Sequence, residues 1–325
     1  MRLLVTGGCG FIGSNLIRYL LETYPNHSII NLDALTYAGN RENLADIEND
    51  SRYSFVKGDI CDSALVDSLV KDSDAVIHLA AEVSVDRSIQ DPNPFVRTNI
   101  TGTHVLLEAC RRNGLKRFHY VSTDEVFGSL GKTGTFSEDS PFCPSSPYAA
   151  TKASATHLVQ SYHTTYALPV TISYSSNNLG PYQFPDAIIP RVITALLDSD
   201  TVPLHGKGCS IRDWLAVSDH VRALDLILHK GTIGESYCIG GGYERRTRDV
   251  VTAICSALNS SDECIRQIPE RVCQDARYAL DTTKIRTELG WKPEVSFERA
   301  LHETIAWYRE NRDWWQPLKK RMMEY

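Results

Sequence analysis

The sequence predicts an α/β protein with a doubly wound parallel sheet and a smaller C-terminal α/β lobe. Three observations predict it. Between Leu3 and Tyr174, short apolar runs alternate with helix-length amphipathic segments. Strands separated by helices pair in parallel, with helices over both faces. The first apolar run closes on a glycine cluster, Gly7-Gly8-Cys9-Gly10-Phe11-Ile12-Gly13. After Asn178 the alternation breaks, and Gly, Pro and aromatic residues crowd through Pro185.

Each element follows from its local pattern. Leu3 to Val5 reads as the first strand. Phe11 to Glu22 shows helical recurrence at Phe11, Leu16, Tyr19 and Leu20. Ile29 to Leu32, Tyr53 to Val56 and Ala75 to Leu79 read as the next three strands, with Ala64 to Val70 helical before the last of them. A helix is expected from about Pro94 to Asn113, where Gly114 suits its C-cap. Phe118 to Ser122 is the fifth strand. Ser146-Pro147 places a capping residue and a first-turn proline before a helix reaching Tyr166. Pro169 to Tyr174 is the sixth strand. Helices then read at Ile188 to Leu197, Val217 to Leu228, Thr247 to Ala257, Lys284 to Leu289 and Phe297 to Asn311. Strands read at Val202 to His205 and Glu235 to Ile239. The tail, Trp314 to Tyr325, is expected to pack by its aromatics and then fray. Residues 1–177 form one unit, and 178–325 mainly a second, with some segments returning to the first.

Composition narrows the function classes. Apolar residues at 42% and charged residues at 23% suit a folded globular chain rather than a disordered one. Lys plus Arg number 34 against 40 acidic residues, a net charge of -6, so no nucleic-acid partner is expected. Ala187 to Leu197 is too short, and too interrupted by Pro190 and Arg191, to span a membrane. No targeting segment is expected at the start of the chain. The nine cysteines are scattered, with no zinc spacing, which suggests reduced thiols in a cytoplasmic protein and no metal.

Gly7, Gly10 and Gly13 lie between a strand and a helix, the fingerprint of a Rossmann dinucleotide site. Gly7 permits the tight turn, Gly10 the approach of a pyrophosphate, and Gly13 the packing of helix on sheet. Phe11 and Ile12 complete the turn at the helix N-terminus, where free amides receive phosphate. Asp33 ends the second strand, placed to bond both ribose hydroxyls and repel a 2′-phosphate, so NAD is expected over NADP. Asp59, with Ile60, follows the third strand; it reads either as an adenine contact or as a cap of the next helix. Ala80 and Ala81 are small enough for a cofactor to lie against the backbone.

Tyr148 and Lys152 stand at i,i+4 on one helix and point the same way. An ammonium beside a phenol is expected to lower the phenol's pKa toward the working range, so that Tyr148 takes a hydroxyl proton as hydride leaves. Thr123-Asp124-Glu125 ends the fifth strand, at the edge where such sheets bind ligands. Like charge is expected to separate the two carboxyl pKa values, giving one acid and one base. An elimination needs both; a simple oxidation does not.

The chain resembles the extended short-chain dehydrogenase/reductases, and among them the nucleotide-sugar 4,6-dehydratases of the dTDP-glucose type. The resemblance spans nearly the whole chain, through GGCGFIGSN at 7–15, LDALTYAGN at 32–40, HLAAEVSVDRSI at 78–89, NITGTHVLLEA at 99–109, VSTDEVFG at 121–128, SPYAATKA at 146–153, SNNLGPYQFP at 176–185, IRDWLAVSDH at 211–220 and RYALD at 277–281. It implies an NAD-dependent lyase making a 4-keto-6-deoxy sugar nucleotide. In that scheme Tyr148 takes the 4-hydroxyl proton, Lys152 tunes it and binds the nicotinamide ribose, so that both residues also contact the cofactor, Thr123 holds the 4-oxygen, Glu125 removes the C5 proton, and Asp124 protonates the departing 6-hydroxyl.

The resemblance also implies a nucleotide-diphosphate hexose held by the second lobe. Asn177 is expected at a phosphate. Arg212 and Arg277 are candidates for the diphosphate, or else surface ion pairs with Asp213 and Asp275. Lys207 is expected to reach base or phosphate, and Trp214 to be core. Ser84 sits in a substrate-facing segment that departs from the family pattern at Val83 and Ser84; a second departs at Val272, Cys273 and Gln274. These changes leave a different hexose or base open, or else are drift in loops that still bind the same ligand. The resemblance further implies a homodimer through helices at about 94–113 and 147–167, using Val105, Leu106, Leu158, Val159 and Tyr162, which otherwise only pack on their own sheet. The rival readings are a 4-epimerase or decarboxylase, which would not need both acids, and a non-catalytic NAD-binding protein.

Overall fold

The computed structural model describes residues 1–322. In chain order its strands are β1 (Arg2–Thr6), β2 (Ser28–Asp33), β3 (Tyr53–Lys57), β4 (Ala75–His78), β5 (Phe118–Thr123), β6 (Val170–Ser175), β7 (Asn177–Leu179), β8 (Val202–His205), β9 (Ile211–Ala216), β10 (Ser236–Ile239), β11 (Glu244–Arg246) and β12 (Ile265–Ile268). The helices are α1 (Phe11–Thr23), α2 (Ser63–Lys71), α3 (Val85–Gln90), α4 (Asn93–Phe95), α5 (Thr103–Arg112), α6 (Pro147–Tyr166), α7 (Ile188–Leu197), α8 (Val217–Lys230), α9 (Thr247–Ala257), α10 (Thr283–Leu289), α11 (Phe297–Glu310) and α12 (Arg312–Met322).

Seven parallel strands form the central sheet in the order β10-β6-β5-β4-β1-β2-β3. The order reverses between β1 and β4, and a doubly wound sheet opens its crevice at such a point. β10 pairs with β6, so chain from beyond residue 178 completes this sheet. α2, α5 and α6 pack on one face around Val66, Leu106 and Val159; α1 and α8 pack on the other around Leu16, Ile17 and Leu224. Two small sheets, β11-β9-β7 and β12-β8, lie with α7, α9 and α11 around a third core that includes Trp214 and Trp315.

The caps follow the sequence. The Ser146 hydroxyl accepts from the Ala149 amide at the start of α6, and Gly114 adopts φ +64 just after α5. The helix expected over 94–113 is interrupted: Val96–Gly102 is a π-helical stretch between α4 and α5. Such a stretch re-aims side chains by adding a residue to the turn. Here it buries Asn99, whose amide oxygen accepts from the Glu82 amide at 2.8 Å and whose amide nitrogen donates to the Thr151 hydroxyl at 2.9 Å.

Several elements left no periodic signal. β7 is three residues beginning Asn-Asn, β9 opens with the charged pair Arg212-Asp213, and β12 is polar in its middle. α3 is too short to repeat. The tail does not fray through Met322: α12 buries Trp315 and Leu318. The fraying expected at the end of the chain lies outside the described residues. No helix among them is long and apolar enough to cross a membrane.

The apolar positions expected to meet a partner chain are mostly spent internally. Leu106, Val159 and Tyr162 are buried in the chain's own core, while Val105 and Leu158 are half-buried.

Candidate active site

A cavity of about 1250 Å3 opens at the C-terminal ends of the central strands and runs into the second lobe. That exceeds the room one drug-sized ligand needs. Its walls include the glycine turn, the ends of β2 to β5, the start of α6 and residues of β7 to β9.

One half fits a dinucleotide. Gly7 adopts φ +75, and a Cβ there would stand 2.6 Å from the Ala80 amide nitrogen. A Cβ on Gly13 would collide with the Gly7 carbonyl. At Gly10 it would meet only that carbonyl, at 3.3 Å, because the position faces open space. No side chain caps α1, which leaves its first-turn amides to a ligand. Asp33 is buried, with Oδ2 accepting from the Cys9 amide at 2.9 Å and Oδ1 from the Leu35 amide at 2.8 Å. Phe11, Ile12, Asp59, Ile60, Ala80 and Ala81 complete this wall. Asp59 does not cap α2, a task taken by Asp62; its oxygens bond the Cys61 amide at 2.8 Å and Arg97 at 2.6 Å.

The other half carries the reactive groups. Thr123, Asp124, Glu125, Tyr148 and Lys152 share the cavity wall. β5 ends at Thr123, whose hydroxyl accepts from the Glu125 amide and donates to Asp124 Oδ1, both at 3.3 Å. That turn points the adjacent acids inward. Asp124 is buried, and its Oδ2 has no hydrogen-bond partner among the described residues. Burial and then the Glu125 charge push its carboxyl well above the usual range. Burial raises Glu125 to about 7, with Arg212 opposing and Asp275 assisting the rise. Burial therefore outweighs like charge, which was expected to lead, and it raises both acids.

The tyrosine departs from expectation. Burial, Glu125 and Asp124 push the Tyr148 phenol up, not down. Lys152 donates instead to the Val121 carbonyl at 2.8 Å and lies over the Tyr120 ring, and burial lowers its ammonium to about 7.

Of the substrate candidates, Ser84, Asn177 and Arg212 line the cavity. Ser84 sits at φ +84 and caps α3. Asn177 Oδ1 is buried without a partner among the described residues. Arg212 bonds the Ile211 and Asp275 carbonyls at 2.8 and 3.0 Å and stacks on Tyr278; it does not pair with Asp213, which is turned to the Tyr243 amide. Two candidates lie off the cavity wall. Lys207 is exposed on its turn and is not among the cavity's walls. Arg277 is buried away from the cavity in a bidentate pair with Glu244, with a third bond to the Gly134 carbonyl. Its carboxylate partner is Glu244, not Asp275. Among the departing positions, Val83, Ser84 and Gln274 line the cavity, whereas Val272 and Cys273 are exposed.

Residues without an assigned role also gather here. Arg87 bonds Glu82 at 2.7 Å and lies over the Tyr37 ring, and Tyr37 bonds Asp186. Burial lifts Asp186 to about 6. Tyr37, Glu82 and Arg87 stand inside the resembled fragments at 32–40 and 78–89, and Asp186 follows the fragment ending at Pro185. Their position was the available signal. Among the described residues no cluster of three or more His, Cys, Asp or Glu could hold a metal ion.

Comparison with known proteins agrees with this geometry. The family model for GDP-mannose 4,6 dehydratase matches residues 4–304. The chain is 49% identical to a dTDP-glucose 4,6-dehydratase of Streptomyces niveus, over 98% of this chain and 96% of that one. It superposes with a TM-score of 0.96 on a dTDP-glucose 4,6-dehydratase of Streptomyces venezuelae solved with NAD bound, at 47% identity over 98% and 100% of the two chains. A UDP-glucose 4-epimerase of Thermotoga maritima gives 0.88 at 31% identity, over 95% and 99%. With both acids and the Tyr-Lys pair on one wall, the chain belongs to the nucleotide-sugar 4,6-dehydratases of extended short-chain dehydrogenase/reductase fold, closely related to dTDP-glucose 4,6-dehydratase.

Proposed function

We infer that the protein is an NAD-dependent lyase converting dTDP-glucose to the 4-keto-6-deoxy sugar nucleotide and water. The observation that carries the reading is the pair of inward carboxyls, buried Asp124 and half-buried Glu125, on the wall that also holds Tyr148 and Lys152. The residues that would hold NAD are Gly7, Gly10 to Gly13, Asp33 and the small side chains of Ala80 and Ala81. Bound there, NAD supplies a hydride acceptor for sugar C4 and a hydride donor for C6.

The protein's part is proton traffic. Thr123 hydrogen-bonds the 4-oxygen, and Tyr148, once ionised to the phenolate, accepts its proton. Two neighbouring acids oppose phenolate formation, and keeping Asp124 protonated lessens that opposition. Glu125, poised near neutrality, removes the proton made acidic by the C4 ketone. Asp124, held protonated by burial, gives its proton to the departing 6-hydroxyl. Arg212 holds the diphosphate, Asn177 contributes an amide, and Ser84 faces the hexose; tethering aligns C4, C5 and C6 without covalent catalysis.

This reading includes a homodimer through the segments 94–113 and 147–167, where Val96 and Tyr166 are exposed and Val105 and Leu158 half-buried. It also includes a cytoplasmic location, in keeping with nine free thiols. Residues 1–177 carry NAD and the chemistry, and 178–325 mainly the sugar nucleotide. The test is incubation with a panel of nucleotide hexoses and product identification by mass and NMR. A 4-keto product lighter by one water supports dehydration; an epimer or a loss of carbon dioxide rejects it.

A further inference from the structure

The C-terminal helix α12 touches the dinucleotide half of the cavity from outside. Its Trp314 Nε1 donates to Asn43 Oδ1 at 2.9 Å. Asn43 Nδ2 in turn donates to the Cys9 carbonyl, inside the glycine turn, at 2.9 Å. The Cys9 amide donates to Asp33 Oδ2, also at 2.9 Å. Three hydrogen bonds thus connect an indole near the end of the chain to the carboxylate expected to hold the adenosine ribose. A second arm runs from the same helix. Arg321 Nη2 donates to the Tyr37 carbonyl at 2.8 Å and the Gly39 carbonyl at 3.2 Å, with its guanidinium 5.4 Å from the Phe184 ring centroid. Tyr37, Phe184 and Leu318 form a small buried cluster beneath it.

The loop so gripped needs an external hold. Leu35 sits at φ +55, a left-handed conformation that disfavours leucine. Thr36, Tyr37, Ala38 and Gly39 all line the cavity, as does Met322 of α12 itself. A loop in this position covers one side of the ribose pocket, so its opening is the simplest path for a bound dinucleotide to leave.

We propose that α12 is a clasp, with Trp314 and Arg321 as positioning residues that close the 34–40 loop and the 3-10 turn after it, Arg41–Ile47, over NAD and set how long NAD stays bound. The proposal rests on NAD occupying the cavity as inferred above. It adds no group that touches the reacting atoms. The opposite side of the helix is anchored separately: Arg312 bonds Asp198 at 2.5 Å and the Leu197 carbonyl at 3.2 Å, away from the loop.

The experiment follows NAD release from the full-length enzyme. Trp314→Phe keeps an aromatic ring but loses the donor, Arg321→Met keeps the stem but loses the fork, and Arg312→Ala loosens the helix without touching the loop. Release is timed by chasing radiolabelled NAD with unlabelled NAD, and Tm is measured alongside. Release about threefold faster in either single loop variant and about tenfold in the double supports the clasp, given the modest net strength of each hydrogen bond. Arg312→Ala should release NAD at the parent rate, and turn over within about twofold of the parent, even where its Tm falls. Parent-like release in the double variant overturns the clasp, as does release that follows Tm across all of them. A parent protein that neither carries nor binds NAD overturns the dinucleotide reading, and the clasp with it.

Discussion

The ammonium of Lys152 donates to the carbonyl oxygen of Val121 at 2.8 Å, one helical turn from Tyr148 on α6. The lysine is therefore stored against the end of β5, with its charge weakened by burial to a pKa of about 7.

Glu125→Gln should abolish exchange of the C5 proton with solvent while leaving some C4 oxidation. Turnover should fall by about 10²- to 10⁴-fold, the usual range for losing a general base. Deuterium incorporation followed by NMR measures it. Undiminished exchange in the variant removes Glu125 from the role of base.

Tyr148→Phe should suppress the first hydride step by a similar factor. Absorbance near the reduced nicotinamide band, in a single turnover with excess enzyme, reports it. A parent-like burst would reassign the 4-hydroxyl proton to another group.

The pH profile of kcat/KM should be bell-shaped and centred near 7. Below about 7 Glu125 takes up a proton and ceases to be a base; above about 7 Lys152 loses its charge. Lys152→Arg, whose side chain does not titrate in this range, should retain residual activity and lose the alkaline limb. A profile flat from pH 5 to 9 contradicts both assignments.

Asp124→Asn should stabilise the fold at alkaline pH. A buried carboxyl with a raised folded pKa contributes fully below its unfolded value, about 4, and that contribution drains away as pH rises through the folded value. Replacing it with a neutral amide should raise Tm at pH 8 by about 2–4 °C, with little change at pH 4. Calorimetry at both pH values decides it.

The two arginines should separate. Arg212→Met should raise KM for the sugar nucleotide at least about tenfold with a smaller effect on kcat. Arg277→Met should leave KM near the parent value and cost about 2 kcal/mol of stability, because it breaks a pair whose carboxylate, Glu244, is partly exposed.

These positions also show what the sequence made legible. The glycine turn, Asp33, the acid pair and the Tyr-Lys spacing were readable because each is a local pattern tied to one structural role. The central sheet was readable because its strands are apolar and separated by helices. Arg277 was misread because its partner lies on β11, a three-residue strand of Glu and Arg that has no apolar alternation. Lys207 was misread because a Gly-Lys-Gly turn fixes no direction for the side chain. The direction of the Tyr148 shift was missed because spacing on a helix says nothing about burial, which here dominates every charge in the site. α12 was missed because its anchors, Asn43 and the Tyr37 carbonyl, lie at the other end of the chain.

The seam between β6 and β10 bears on how the chain is made. Until residues 236–239 have left the ribosome, β6 presents an unpaired hydrogen-bonding edge, and unpaired edges invite pairing with other chains. Cutting the gene after residue 177 would make that exposure permanent. A fragment so produced should aggregate, although it holds every residue assigned to proton transfer.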